Sequence, residues 1–248
     1  MTTRTALLTT LALCLGLSAS AADKPPLKVV MLSGAFEYQS AKSCAILAKH
    51  LEATLGAKCT ILQAKKKQGD DVPGMEALDT ADLMVVFMRR QSLKGDQLDR
   101  FKRYATSGKP IVGVRTASHA VQTWLALDRE VLGGNYHGHY GGGPEQTVSA
   151  VPAAKDHPVL TGVGQFTSAY SLYKTSPLAA DTTLLMTSTT PKAKAPEPAA
   201  WVREHKGARI FYTSLGGPED FKNPPFRRLL VNALFWTARR PVTPKPAE

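Results

Sequence analysis

The most chemically suggestive stretch of the sequence is Gly113-Val114-Arg115-Thr116-Ala117-Ser118-His119, which follows the apolar run Ile111 to Val114. A sharp strand-to-helix turn exposes its apex residue, and in hydrolases and glutaminases that apex is Ser or Cys. Here the apex by spacing is Arg115. A guanidinium stays protonated and donates hydrogen bonds in a fixed fork, so it cannot be a nucleophile. Neither G-x-S-x-G nor G-x-C-x-G occurs in the chain, which argues against acyl transfer from this elbow. Arg115 is expected either to bind an oxygen-rich or anionic group beside a helix N-terminus or to tie neighbouring loops together.

His119 lies one turn beyond Arg115, and His137 and His139 form an H-x-H pair in the Gly-rich stretch Leu132 to Pro144. An imidazole titrates near working pH, which suits His119 and His139 to general acid/base roles. In an extended segment the two loop imidazoles project to one side. With His119 they could hold a divalent metal, although the spacing matches no zinc motif; no metal ligand is assigned and the cofactor stays open. Asn135, Tyr136 and His137 count as substrate contacts from the same loop. Glu37 and Tyr38 follow the first strand, and Arg89 and Arg90 end the third. One Arg is expected to pair with Glu37 and the other to face ligand. His157, in Asp156-His157-Pro158, reads as a turn residue. No dinucleotide or P-loop fingerprint is present, because Gly141-Gly142-Gly143 lacks a strand before it and a helix after it.

The elements that must position these residues alternate. Leu27–Leu32, Lys58–Leu62, Leu83–Met88 and Ile111–Val114 read as strands, the third apolar without alternation and so buried on both faces. Ser40–Leu55 and Lys94–Thr106 read as helices, the first with Ser40 as N-cap and Gly56 as C-cap. Ala117–Ala126 is predicted to be a further helix. This order implies a parallel, doubly wound sheet whose ligand crevice lies at the carboxyl ends of the strands. The second half reads as short strands at 147–151, 183–187, 200–204 and 208–213, the last two joined as a hairpin, and a closing helix at 226–239. Cys44 falls near the start of the first helix and Cys59 just after its end, roughly 16 Å apart along the axis, too far for a disulfide. Both are expected to be buried free thiols.

The 248 residues carry 31 Lys and Arg against 20 Asp and Glu, a formal charge of +11. With 43% hydrophobic residues the chain is neither disordered nor a disulfide mini-fold. Arg4, the apolar stretch Ala6–Leu17 and Ala19-Ser20-Ala21 have the order of an export signal. Residues 1–21 are therefore expected to be removed, 22–240 to form one domain, and 241–248 to be a disordered tail. The mature protein is expected in the periplasm or secreted, with no stable membrane insertion. No nucleic-acid partner is then expected, whereas a small molecule or an anionic glycan fits; much of the Lys excess is expected to be a soluble surface. The oligomeric state is open.

Five stretches together resemble the ThuA-like (trehalose utilisation) family of the class I glutamine amidotransferase-like superfamily. They are Gly108–Ala120, Leu132–His139, Asp156–Val163, Trp201–Gly216 and Pro224–Trp236. The resemblance implies a flavodoxin-like three-layer α/β/α sandwich, mainly parallel, with antiparallel additions in the second half. It also implies a carbohydrate-linked role without the amidotransferase nucleophile, and matches His119 and His139 to family histidines. The chain departs from the usual pattern in three places. Tyr170-Ser171-Leu172-Tyr173 stands for D-E-x-Y, Tyr38-Gln39 for Y-H, and Leu215-Gly216-Gly217 for L-G-H. The expectation is a protein acting on or binding a sugar or glycan-derived compound. The alternatives are a non-catalytic carbohydrate-binding module and a metal-dependent hydrolase built on the His cluster.

Overall fold

The computed structural model describes residues 25–143 and 145–242. Residues 1–21, expected to be an export signal, and residues 243–248 of the expected tail lie outside them, and Val242 packs against the core.

Four parallel strands come first: β1 (Lys28–Gly34), β2 (Lys58–Gln63), β3 (Leu83–Met88) and β4 (Ile111–Val114). Helices α1 (Ser40–Leu55) and α2 (Gly95–Thr106) make two of the crossovers. The second half adds β5 (Gln146–Ala150), β6 (Phe166–Ser168), β7 (Thr182–Thr189), β8 (Glu197–His205) and β9 (Ala208–Thr213), then α3 (Pro224–Thr237). All nine strands form one sheet in the order β2-β1-β3-β4-β9-β8-β7-β5-β6. Pairing is parallel from β2 to β9 and antiparallel from β9 onward. The last long strand thus closes the parallel half, with Ile111 opposite Ile210 and Val114 opposite Thr213.

Period-two alternation sends successive side chains of a strand to opposite faces. Val85 and Phe87 of β3 join α1 and α3 in one apolar layer, and Met84, Val86 and Met88 join α2 in the other. That is why β3 is apolar throughout: every residue in it is buried. The three-layer mixed α/β architecture read from the sequence holds. Among the described residues no helix is long and apolar enough to cross a membrane.

Three local expectations need correction. Ser40 is the first helical residue of α1, and the capping position is Gln39 in a left-handed conformation. Ser40 Oγ instead accepts from the Ala35 N–H at 2.9 Å and bonds Ser33 Oγ at 2.8 Å, fastening the loop after β1. Cys44 is buried but Cys59 is only half-buried; both thiols are free. The helix expected over 117–126 is a 3-10 turn (Arg115–His119) followed by another (Gln122–Trp124). Tertiary pairing interrupts it. Arg90 and Gln91 donate their N–H groups to the carbonyls of His119 and Ala120, and Gln122 donates back to Gln91. Val121 is thereby drawn into an extended conformation, which no α-helix admits. A π-helical turn, Leu127–Leu132, follows and ends at Gly133 in the left-handed region.

Candidate functional site

The carboxyl ends of β1, β3 and β4 meet at one side of the sheet, where open α/β sheets hold their ligands. Two neighbouring environments form there.

The first surrounds Arg115, the strand-exit apex, whose φ of 48° places a non-glycine residue in the left-handed region. Its guanidinium is buried, with 1% of the residue exposed. It donates to the Ser214 carbonyl at 2.8 Å and the Ser171 carbonyl at 3.2 Å. The rings of Tyr38, Tyr173 and Tyr170 surround it at 4.5, 4.8 and 5.5 Å, in the geometry of cation–π attraction. The Tyr212 hydroxyl donates to the Arg115 carbonyl at 2.5 Å. Both terminal nitrogens of the fork donate to protein carbonyls, which ties the loops together, while Nε is buried without a hydrogen-bond partner. No long helix begins here to lend it an N-terminus; the 3-10 turn is five residues. Glu37 lies at the margin, paired with Arg89 at 2.6 Å and Lys67 at 3.0 Å. Burial pushes its carboxyl up, but a backbone hydrogen bond and these two cations outweigh that and hold it below its ordinary value.

The second environment is a cavity of about 470 Å³ lined by Arg90, Ser118, His119, Gln122, Leu125, Ala126, Asp128, Arg129 and Tyr136. That size is ordinary for a small-molecule site. His119 is 6% exposed. Its Nδ1 shares a 3.0 Å hydrogen bond with Ser118 Oγ, and its ring stacks on Tyr136 at 4.4 Å and 20°. Burial, aided by the positive charges of Arg89, Arg90 and Arg115, pushes its pKa down to about 3, so the imidazole is uncharged in neutral solution.

Asp128 was missed in the sequence. It sits in the π-helical turn, 5% exposed. Oδ2 accepts from the Tyr136 N–H at 2.7 Å, and Oδ1 has no hydrogen-bond partner. Burial raises its pKa to about 6 against the pull of that N–H and of Arg129. The turn carrying it is held from below. Arg203 Nη1 donates to the carbonyls of Arg129, Glu130 and Val131, and Nη2 pairs with Asp181 at 2.6 Å. Trp201 Nε1 donates to the Leu132 carbonyl at 2.7 Å. Gly134 must be small: a Cβ there would stand 2.5 Å from Asp128 Oδ1 and 3.0 Å from the Trp201 ring. The pairing of Gly133-Gly134 with the Trp201-Val202-Arg203 run, each a legible motif, was the available signal that residues 127–132 are positioned with care.

His137 and His139 are both exposed. Residues 137–140 run antiparallel to 172–174, with His139 bridged to Tyr173, so alternate side chains face solvent together. His137 Nδ1 bonds the Asn135 carbonyl at 2.7 Å. The His139 ring lies 6.5 Å from that of Tyr173, whose other contacts include His119 at 5.9 Å and Tyr136 at 4.7 Å. Asn135 receives Arg129 and donates to the Ser176 carbonyl. Among the described residues no group of three His, Cys, Asp or Glu is arranged to hold a metal ion; the three histidines of the alternative metal reading divide between a buried stack and an exposed strand. The structure therefore joins Arg90, His119 and Tyr136 in one cavity and places Arg115 and Tyr38 in the adjoining cage. Glu37 and Arg89 form the margin, His139 sits over Tyr173, and His137 points outward.

Among curated proteins none matches the chain. Solved structures do. A ThuA-like protein from Parabacteroides merdae superposes with a TM-score of 0.68 at 18% identity, over 90% of this chain and 94% of that one. A β-galactosidase from Rahnella sp. R3 gives 0.58 at 15% identity, over 89% of this chain and 33% of that one. A glutamine amidotransferase from Thermotoga maritima gives 0.50 at 13%, over 87% and 99%. At these identities the likeness is one of fold, the amidotransferase-like fold. The family model for ThuA, trehalose utilisation, matches residues 28–237, which spans every strand and helix described above, and the chain belongs to that family.

Proposed function

We propose that the protein acts on a sugar or glycan-derived compound outside the cytoplasm, in the cavity between His119 and the π-helical turn. The observation that carries this reading is a cavity of small-molecule size at the crevice end of the parallel strands, with the buried carboxyl of Asp128 in its lining; Oδ2 of that carboxyl holds the Tyr136 N–H and the unpartnered Oδ1 lies beside Gly134. The raised Asp128 pKa of about 6 suits a group that exchanges protons near neutral pH. His119, uncharged, would accept a hydrogen bond from a substrate hydroxyl. Ser118 and Gln122 add hydroxyl partners, and Tyr136, Leu125 and Ala126 add apolar surface for the C–H face of a sugar ring. Membership of a trehalose-utilisation family supports the carbohydrate class.

A second reading is a binding module without turnover. The filling of the strand-exit apex by Arg115 and three tyrosines favours it, since no reactive group is presented there. Calorimetry against a saccharide panel, with product analysis of each mixture, separates the two. The expected result is saccharide binding that falls at least tenfold in Tyr136→Ala and His119→Gln, and turnover that is lost in Asp128→Asn. Binding without products in the wild-type protein selects the module. Saccharide binding indifferent to all three substitutions, or no binding at all, overturns both. Export is tested separately: the protein recovered from periplasm or medium should begin at Ala22.

A further inference from the structure

The cavity has an unbalanced set of charges. Around the crevice, Arg89 shares Glu37 with Lys67, Arg203 pairs with Asp181, and Arg115 is held by carbonyls and tyrosine faces. Arg90 and Arg129 differ. Both are exposed at the surface and both line the cavity. Among the described residues Arg90 has no hydrogen-bond or ion-pair partner for its guanidinium. Arg129 spends one N–H on Asn135 Oδ1 at 2.9 Å and, among the described residues, meets no carboxylate within ion-pair distance. They come from different elements, one after β3 and one in the π-helical turn, and each is fixed through its backbone. Arg90 holds a left-handed φ of 52° and donates its N–H to the His119 carbonyl at 3.0 Å. The Arg129 carbonyl accepts from Arg203.

We propose that the ligand of this cavity is an acidic sugar, a saccharide bearing a carboxylate, whose anionic group is received by Arg90 and Arg129 while its hydroxyls face Asp128, His119 and Ser118. The inference rests on the sugar-site reading and narrows it. A guanidinium fork matches a planar carboxylate with two parallel hydrogen bonds. Among the lining residues, above the raised pKa of Asp128, two guanidiniums stand against one carboxylate with His119 uncharged, a balance that favours a single anion. A phosphate dianion would overfill it and would sit against Asp128. Gln122, Ser118 and Tyr136 carry no charge, so no other lining group alters the balance.

The test is calorimetry of the full mature chain with three probe sets: uronic and aldonic acids, their neutral parent sugars, and the corresponding sugar phosphates. The acids should bind at least tenfold more tightly than the neutral parents, with affinity falling as salt is raised. Arg90→Gln and Arg129→Gln should each weaken the acids about ten- to a hundredfold, the range for a charge-assisted bidentate contact. They should leave the neutral sugars within about threefold. Arg90→Lys, which keeps the charge and loses the fork, should recover part of the loss. Equal binding of acids and neutral parents, unchanged by the Arg variants but lost in Tyr136→Ala, overturns the acidic-sugar assignment and leaves the sugar site standing. Sugar phosphates binding more tightly than carboxylates also overturn it. Failure of every saccharide overturns the sugar site itself. Arg129 is exposed and its side chain makes one hydrogen bond among the described residues, so its variant stays foldable if those of Arg90 do not.

Discussion

Asp128 and His119 line the same cavity, and burial acts on them in opposite senses. It keeps the proton on the carboxyl and off the imidazole. The linkage follows from proton counts. Between about pH 4 and pH 6 the folded protein holds a proton on Asp128 and none on His119. The unfolded chain holds one on His119 and none on Asp128, by the reference values of the two groups. The numbers are equal, so this pair contributes almost no slope to stability in that window. Removing either member exposes the other. Asp128→Asn leaves the unfolded state one proton richer, so stability should rise with pH by about 1.4 kcal/mol per unit relative to wild type. His119→Gln leaves the folded state one proton richer, and stability should fall with pH at about the same rate. Urea denaturation of the three proteins at pH 4.5, 5.0 and 5.5 reads the slopes directly. Other histidines with lowered values, His50, His157 and His205, add the same background to all three. Parallel slopes would mean that the two groups are not buried together as described.

The turn Leu215-Gly216-Gly217 and the loop carrying Tyr170 are fitted to one another. The Gly216 and Gly217 N–H groups are both held by Asp220 Oδ2, at 2.9 and 2.8 Å, and the Tyr170 carbonyl receives Gln146. A Cβ on Gly217 would overlap the Tyr170 ring, and that ring stands edge-on to Tyr38 at 6.0 Å. Two departures from the usual family pattern, Tyr170 and Gly217, are thus one packing event: the ring fills the space a larger residue 217 would need. Gly217→Ala should cost about 1–3 kcal/mol through overpacking, and the cost should nearly vanish in a Tyr170→Ala background. A double-mutant cycle by chemical denaturation measures the coupling, and additive effects would show that ring and turn yield independently. Much at this scale was legible in the sequence. β3 announced itself as an uninterrupted apolar run, α1 by its apolar stripe and Gly56, and the crevice by the strand exits. The helix over 117–126 was misread because its apolar spacing is genuine while the competing hydrogen bonds come from Gln91, which no local pattern reveals. Asp128 was missed for the same kind of reason. In Leu127-Asp128-Arg129-Glu130 it looks like a solvated helical acid, and only the π-helical turn and its Arg203 buttress bury it. Arg115 was found by position, but its tyrosine cage is assembled from residues far apart in the chain.

The order of strands in the sheet decides how the molecule should come apart. β9 is the last strand synthesised and lies at the junction, parallel to β4 on one side and antiparallel to β8 on the other. The parallel half therefore lacks its fifth strand until residues 208–213 arrive, and α3 then covers the same apolar layer as α1. Neither half has a core of its own: Val112 and Val114 of β4 share one layer with Leu185 of β7 and Phe211 of β9. Cooperative, one-step unfolding is the expected consequence. Two probes placed in opposite halves can test it. Cys44 in α1 is buried, and burial pushes its thiol up to about 12, so it should be inert to labelling while the fold is intact. Half-buried Cys59 in β2, pushed up to about 11 by burial and then by Glu52, should behave alike. Trp201 in β8 is 1% exposed and its ring lies 4.4 Å from that of Tyr212, so in a protein whose other two tryptophans, Trp124 and Trp236, are replaced by Phe its fluorescence reports the antiparallel half. Thiol labelling and fluorescence should change at the same denaturant concentration, coincident with loss of far-UV circular dichroism. Labelling of Cys44 while Trp201 is still shielded would mean that the β4–β9 junction does not unite the two halves, and that the cavity, which draws on β3 from one half and is buttressed by β8 from the other, could open without global unfolding.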